Sequence, residues 1–205
     1  MVLRKYSTLA LLAAVIGLAA LPSPAEAQQP HAVIERFHDQ LLAVMKNAKT
    51  LGFEGRRAKL APAVERTFDL PFMAQFATAA GWDAMQPQQR TAIVDLFRRM
   101  TVSSYAARFN DYDGEEFSTL DATETPNKDV VVRARLKAAS EDVTIDYLMR
   151  ATDNGWRVVD VYFMRISELA TRRSEYGSVI RREGVTALVA SLERKVKEIE
   201  NGTPK

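Results

Sequence analysis

Two histidines, two strand aspartates and one acidic loop are the groups in this chain that could carry chemistry. His31 and His38 lie seven residues apart in a segment of helical spacing, about two turns. A metal site or an acid–base pair could use that spacing. A catalytic metal, however, takes about three protein ligands, and no third lies near in sequence. The pair therefore reads as two solvated histidines. Asp146 and Asp160 fall in strand-like runs. A lone carboxylate in an apolar pocket has its pKa raised by burial and can serve as a general base. Asp146 alternates with Thr144 and Arg150, which puts it on a wet face. Asp111-Tyr112-Asp113-Gly114-Glu115 opens like a calcium loop but lacks the later ligands, and turn chemistry accounts for it better. No Ser-His-Asp arrangement, glycine-rich phosphate loop or zinc motif occurs.

The composition narrows the classes further. There is no cysteine, which removes thiol nucleophiles, disulfides and cysteine metal sites. A formal net charge of +2 gives no sign of a nucleic-acid partner. With 47% apolar and 26% charged residues, 205 residues suffice for one domain with a sizeable core. Residues 1–27 have the character of a cleaved secretory signal peptide. Arg4 and Lys5 are basic, Leu9 to Leu21 is an apolar run short for a bilayer, Pro22 and Pro24 break it, and Ala25-Glu26-Ala27 is a small-residue cleavage site. The expected mature chain is one domain, 28–205, exported to the periplasm, and without cysteine it has no lipoprotein anchor.

The elements that must position any site alternate between two periods. His31 to Ala48, Glu54 to Phe68, a segment opening at Asp69 with Pro71, and Pro87 to Phe109 all have helical spacing. Asp69 is a suitable N-cap, and Pro62 suits a first turn or a kink. Strand-like runs follow at about 115–122, 128–138, 142–151 and 155–163. Their connections are short, and Asn154-Gly155 is a hairpin signal, so the runs form an antiparallel meander. Val130, Val132, Ala134 and Leu136 alternate with charged residues, as do Val143, Ile145, Tyr147 and Met149. That sheet is covered on one side. The last run is apolar on both faces, with Trp156, Val158 and Tyr162 against Val159, Val161 and Phe163. From Ile166 the helical period returns, with an interruption at Gly184.

Along the chain, in this order, stand Phe72-Met73-Ala74, Gly81-Trp82, Tyr105-Ala106-Ala107-Arg108-Phe109, Tyr112-Asp113-Gly114-Glu115-Glu116-Phe117, Gly155-Trp156-Arg157-Val158-Val159-Asp160-Val161 and Arg173-Ser174-Glu175-Tyr176. Together these pieces resemble the MlaC/toluene-tolerance family of periplasmic phospholipid-binding proteins. The family often has Asn-Gly before the Ile-Ser that opens the last helical region; here Met164-Arg165 stands there. Ile166 to Glu175 is similar to the hopanoid-associated branch, HpnM. The resemblance implies an α+β fold. Helices would pack on one face of a twisted four-stranded antiparallel sheet and enclose an apolar cavity, an NTF2-like arrangement.

The same resemblance implies a carrier that moves a phospholipid or hopanoid-type lipid between inner and outer membranes without covalent chemistry. The lipid is cargo, and no resident cofactor is expected. Implied partners are an inner-membrane ABC transporter complex and an outer-membrane lipoprotein complex. On pattern alone the apolar stripes fill a core. With the resemblance, Phe72, Phe76, Phe97, Tyr105, Val132, Ile145, Tyr147, Val158, Val161, Phe163, Ile166 and Tyr176 are expected to line the cavity. Arg173 and its neighbour Arg172 are candidates for a polar rim that forks hydrogen bonds to a phosphate, or for a structural salt bridge to Glu115 or Asp160. Two other classes stand beside the carrier. One is an enzyme of lipid or hopanoid metabolism with a carboxylate in an apolar pocket; the other is a structural envelope adaptor.

Overall fold

The helical spacing of the first half resolves into α1 (Pro30–Met45), α2 (Ala48–Thr67), α3 (Leu70–Ala77) and α4 (Pro87–Arg108). The structure, a computed structural model, describes residues 29–138 and 142–202; the signal peptide expected over 1–27 lies outside the described residues. Asp69 caps α3 as expected, its carboxylate accepting the Phe72 N–H at 3.1 Å. Gly52 leaves helical geometry at φ 60° and divides α2 into two pieces. Pro62 stands in the interior of that helix, not near a first turn, and removes one backbone hydrogen bond there.

β1 (Glu116–Glu124), β2 (Val130–Lys137), β3 (Asp142–Thr152) and β4 (Gly155–Phe163) pair antiparallel in chain order. A fifth strand, β5 (Ile166–Ser167), adds two residues to the β4 edge before α5 (Glu168–Glu200) begins. Two residues are too few to display a period, so the pattern had placed Ile166 in the helix. Val130, Val132, Ala134 and Leu136 are buried, as are Ile145, Tyr147 and Met149. On the opposite face Arg133 pairs with Asp146 at 2.8 Å, and Arg135 pairs with Asp142. One face is greasy and the other wet, as alternation requires.

β4 departs from simple alternation. Leu148 pairs with Asp160 but Met149 pairs with Val158, so Val159 is an extra residue without a cross-strand partner. This is a β-bulge, and it reverses the parity of everything beyond it. Val158 stays opposite Met149, while Val161 and Phe163 move to the inner face opposite Tyr147 and Ile145. Tyr162, expected beside Val158, instead faces Asp146 on the outer side. The β3–β4 turn is also not the expected Asn-Gly pair of central residues. Thr152 pairs with Gly155, and only Gly155 has positive φ, at 89°. That is a bulge glycine following Asp153-Asn154.

Two polar anchors tie the helices to this strand. The Asp69 N–H donates to the Val158 carbonyl at 2.9 Å, pinning the α2–α3 junction to β4. Asp160, buried, accepts from the N–H groups of Val161 (2.7 Å) and Leu169 (3.2 Å) and from the Ser167 hydroxyl (2.6 Å). Ser167 then accepts the Ala170 N–H at 2.8 Å. A strand carboxylate thus satisfies the open donors at the start of α5 and aims that helix.

Candidate functional site

The bulge brings Val161 and Phe163 level with Ile145 and Tyr147 of β3 and Leu136 of β2, and these five side chains form one wall of a cavity. Facing them are Phe97, Thr101, Ser104, Tyr105 and Arg108, a stripe along α4. Glu168, Leu169 and Arg172 from the start of α5 complete the mouth, with Phe68, Met73 and Phe109 around the interior. The space is about 210 Å³. That is below the roughly 300–1,000 Å³ of pockets that enclose drug-sized ligands. The layers stand apart, but only by a narrow slot.

The chemistry of the lining is mostly aromatic and aliphatic. Tyr105 sits edge-on to Phe37 at 5.3 Å and stacks on Phe109 at 5.8 Å. Burial raises the pKa of the Tyr105 and Tyr147 phenols, so both remain neutral. Tyr147 shares a 3.0 Å hydrogen bond with His38 Nε2. His38 is buried and stacks on Phe117 with ring centres 4.2 Å apart. Desolvation lowers its pKa to about 4, so the imidazole is neutral at physiological pH. The expectation of two solvated histidines thus fails for His38. Helical spacing shows which residues share a face, but a histidine can be satisfied by one distant hydroxyl.

Charge enters at the mouth. The Arg108 guanidinium lies 4.9 Å from the Phe163 ring centre, and that of Arg172 lies 5.9 Å from Phe97. Arg172 also reaches the Tyr176 hydroxyl at 3.4 Å and the Met100 sulfur at 3.7 Å. Among the described residues neither arginine enters an ion pair. Two cations therefore flank the opening, with rings, a phenol and a sulfur in contact and the Glu168 carboxylate in the same lining.

The family model of the MlaC protein matches residues 35–194. The chain belongs to the MlaC family. No curated protein matches it. Among solved structures, the phospholipid-binding protein from Ralstonia solanacearum in complex with a phospholipid superposes with a TM-score of 0.74. The match covers 84% of this chain and 98% of that one, at 24% identity, and it shows a shared fold.

Within this MlaC fold the residues singled out from the sequence divide. Phe97, Tyr105, Ile145, Tyr147, Val161 and Phe163 meet at the cavity. Val132 and Val158 are fully buried in packed core and do not reach it. Phe72 and Phe76 lie 6.1 Å apart under the guanidinium groups of Arg150 and Arg173, away from the slot. Tyr176 is buried behind Arg172, and Ile166 is 64% exposed at the lip. Arg172, not Arg173, faces the cavity, because successive helical residues point about 100° apart. Neither arginine pairs with Glu115 or Asp160.

Thr101, Ser104 and Arg108 were missed. Extending the α4 stripe from Phe97 at helical spacing finds them, although their polarity disguises it. The carboxylates considered for catalysis are engaged elsewhere, Asp146 with Arg133 and Asp160 with the start of α5. Asp111 and Glu115 accept backbone N–H groups of Tyr112 and Asp113, in keeping with a turn.

Proposed function

We propose that this MlaC-family chain is a lipid carrier. It takes a phospholipid or hopanoid-type lipid into the slot between α4 and the sheet and shuttles it between inner and outer membranes, with no covalent step. The related Ralstonia protein, of the same fold, is a phospholipid-binding protein in complex with its ligand. The observation that carries the reading is the slot itself. The slot opens to solvent while its lining is mostly aromatic and aliphatic, so it leaves apolar surface against water that a hydrocarbon tail would cover.

The slot is too small for two acyl chains. About 30 methylenes leaving a bilayer expose apolar surface worth on the order of 20 kcal/mol, and a carrier must replace nearly all of that contact. Loading therefore includes a widening of the gap between α4, the start of α5 and the inner face of the sheet. Arg108 and Arg172 flank the mouth, where a phosphate or polyol head would sit. Export to the periplasm, an inner-membrane ABC transporter complex and an outer-membrane lipoprotein complex complete the proposal. A transfer assay tests it: the purified chain is added to donor vesicles holding a fluorescent phospholipid and to unlabelled acceptors. Transfer that scales with protein concentration is expected. Transfer no faster than the spontaneous rate at every concentration refutes it.

A further inference from the structure

β4 and β5 are joined by two residues, Met164 and Arg165, with Phe163 and Ile166 paired on either side. Both loop residues have positive φ, 49° and 68°. A two-residue hairpin of this kind favours Asn-Gly, because only such residues adopt that geometry without strain. Among the described residues, positive φ is otherwise given to glycine, Lys128 excepted. Here strain is accepted and two unusual side chains are displayed. Met164 is 66% exposed and Ile166 is 64% exposed, with the cation Arg165 between them. Among the described residues Arg165 has no ion-pair partner.

The place of this tip gives it meaning. Phe163, which lines the slot, immediately precedes it, and Glu168, Leu169 and Arg172 of the mouth immediately follow. Arg108 lies over Phe163 on the same side. Arg108 and Arg172 thus line the opening and Arg165 stands in the adjoining turn, against Glu168 as the carboxylate of the lining.

We infer that the Met164–Ile166 tip is a membrane-contact element that seats the mouth of the slot on an anionic lipid surface. Apolar side chains flanked by cations are the composition that partitions into the headgroup region of anionic bilayers. Three residues fall short of the roughly 800 Å² per partner of a stable protein interface, which favours a bilayer over a protein partner. The inference rests on the lipid-carrier reading for its purpose: a tip that enters the interface excludes water along the path from bilayer to slot.

The test uses the full mature chain with vesicles of phosphatidylcholine alone or mixed with phosphatidylglycerol. The double variant Met164→Asn/Arg165→Gly supplies the residues the turn prefers. It is expected to raise Tm while weakening binding to the mixed vesicles at least roughly tenfold, since a cation and an apolar anchor are lost together. Opposite signs separate the tip's function from any role in folding. Arg165→Gln alone is expected to reduce the preference for phosphatidylglycerol and its dependence on salt. Ile166→Ser, at an exposed site, provides a second fold-neutral probe. Unchanged vesicle binding in both the double variant and Ile166→Ser overturns the inference, as does a wild-type chain that binds neither kind of vesicle. Lipid content measured on the same preparations keeps the two readings apart. Loss of vesicle contact with normal content supports the tip, whereas a wild-type chain devoid of lipid overturns the carrier.

Discussion

Filling the slot should abolish cargo without harming the fold, and Ser104→Phe does this most directly. Ser104 is half-buried on α4 and faces Ile145, Tyr147, Val161 and Phe163 across the gap. A phenyl ring laid into the slot leaves water for an apolar lining, which is worth about 2 kcal/mol. Imperfect fit costs about 1–3 kcal/mol, so the net change in stability lies within about 2 kcal/mol of zero. A lipid tail must now expel that ring. Losing about 2 kcal/mol lowers affinity about thirtyfold. Urea unfolding gives the stability, and organic extraction with mass spectrometry gives moles of lipid per mole of chain. Stability close to wild type with lipid content far below it is the expected result. Ser104→Phe folded to wild-type stability with its full complement of lipid would refute the placement of cargo in this slot.

Three further outcomes test the surrounding structure. His38 has a pKa of about 4 when folded against 6.5 ordinarily, so the unfolded chain binds the proton more tightly. Its contribution is complete above pH 6.5 and is lost as pH falls toward 4, about 3 kcal/mol in all. Urea unfolding across that range should therefore show a steeper acid loss for wild type than for His38→Gln, and parallel curves would contradict the assignment. Asp160→Ala strips the donors of Ser167, Leu169 and Val161 of their acceptor and should cost about 2–4 kcal/mol in the same measurement. Gly184 holds φ 85° and ψ 173°, a region that glycine alone occupies freely, and an added Cβ there meets nothing within 4 Å. Gly184→Ala should thus cost about 1–3 kcal/mol from backbone strain alone, read as a fall in Tm.

Local rules carried far in this sequence and stopped at identifiable points. Alternation in β2 and β3 gave the buried face directly, because each strand keeps one register from end to end. It failed in β4, where the bulge at Val159 leaves no mark in a run already apolar on both faces. Helical spacing located α4 but undervalued Thr101, Ser104 and Arg108, since a mouth needs polar residues on the same stripe as its apolar floor. The choice between Arg172 and Arg173 turned on about 100° of helix rotation, which Asp160 and Ser167 determine by fixing the start of α5. The His38–Tyr147 bond spans 109 positions, and no window along the chain could have shown it.

The central claim is that the gap between α4 and the sheet exists to hold a hydrocarbon tail. Native mass spectrometry of the chain, purified without detergent from the cells that make it, tests it most directly. The account expects a mass above the polypeptide by one lipid, released intact on activation and identified as a phospholipid or hopanoid. A bare polypeptide mass, unchanged after incubation with vesicles of lipid extracted from the same cells, would contradict it.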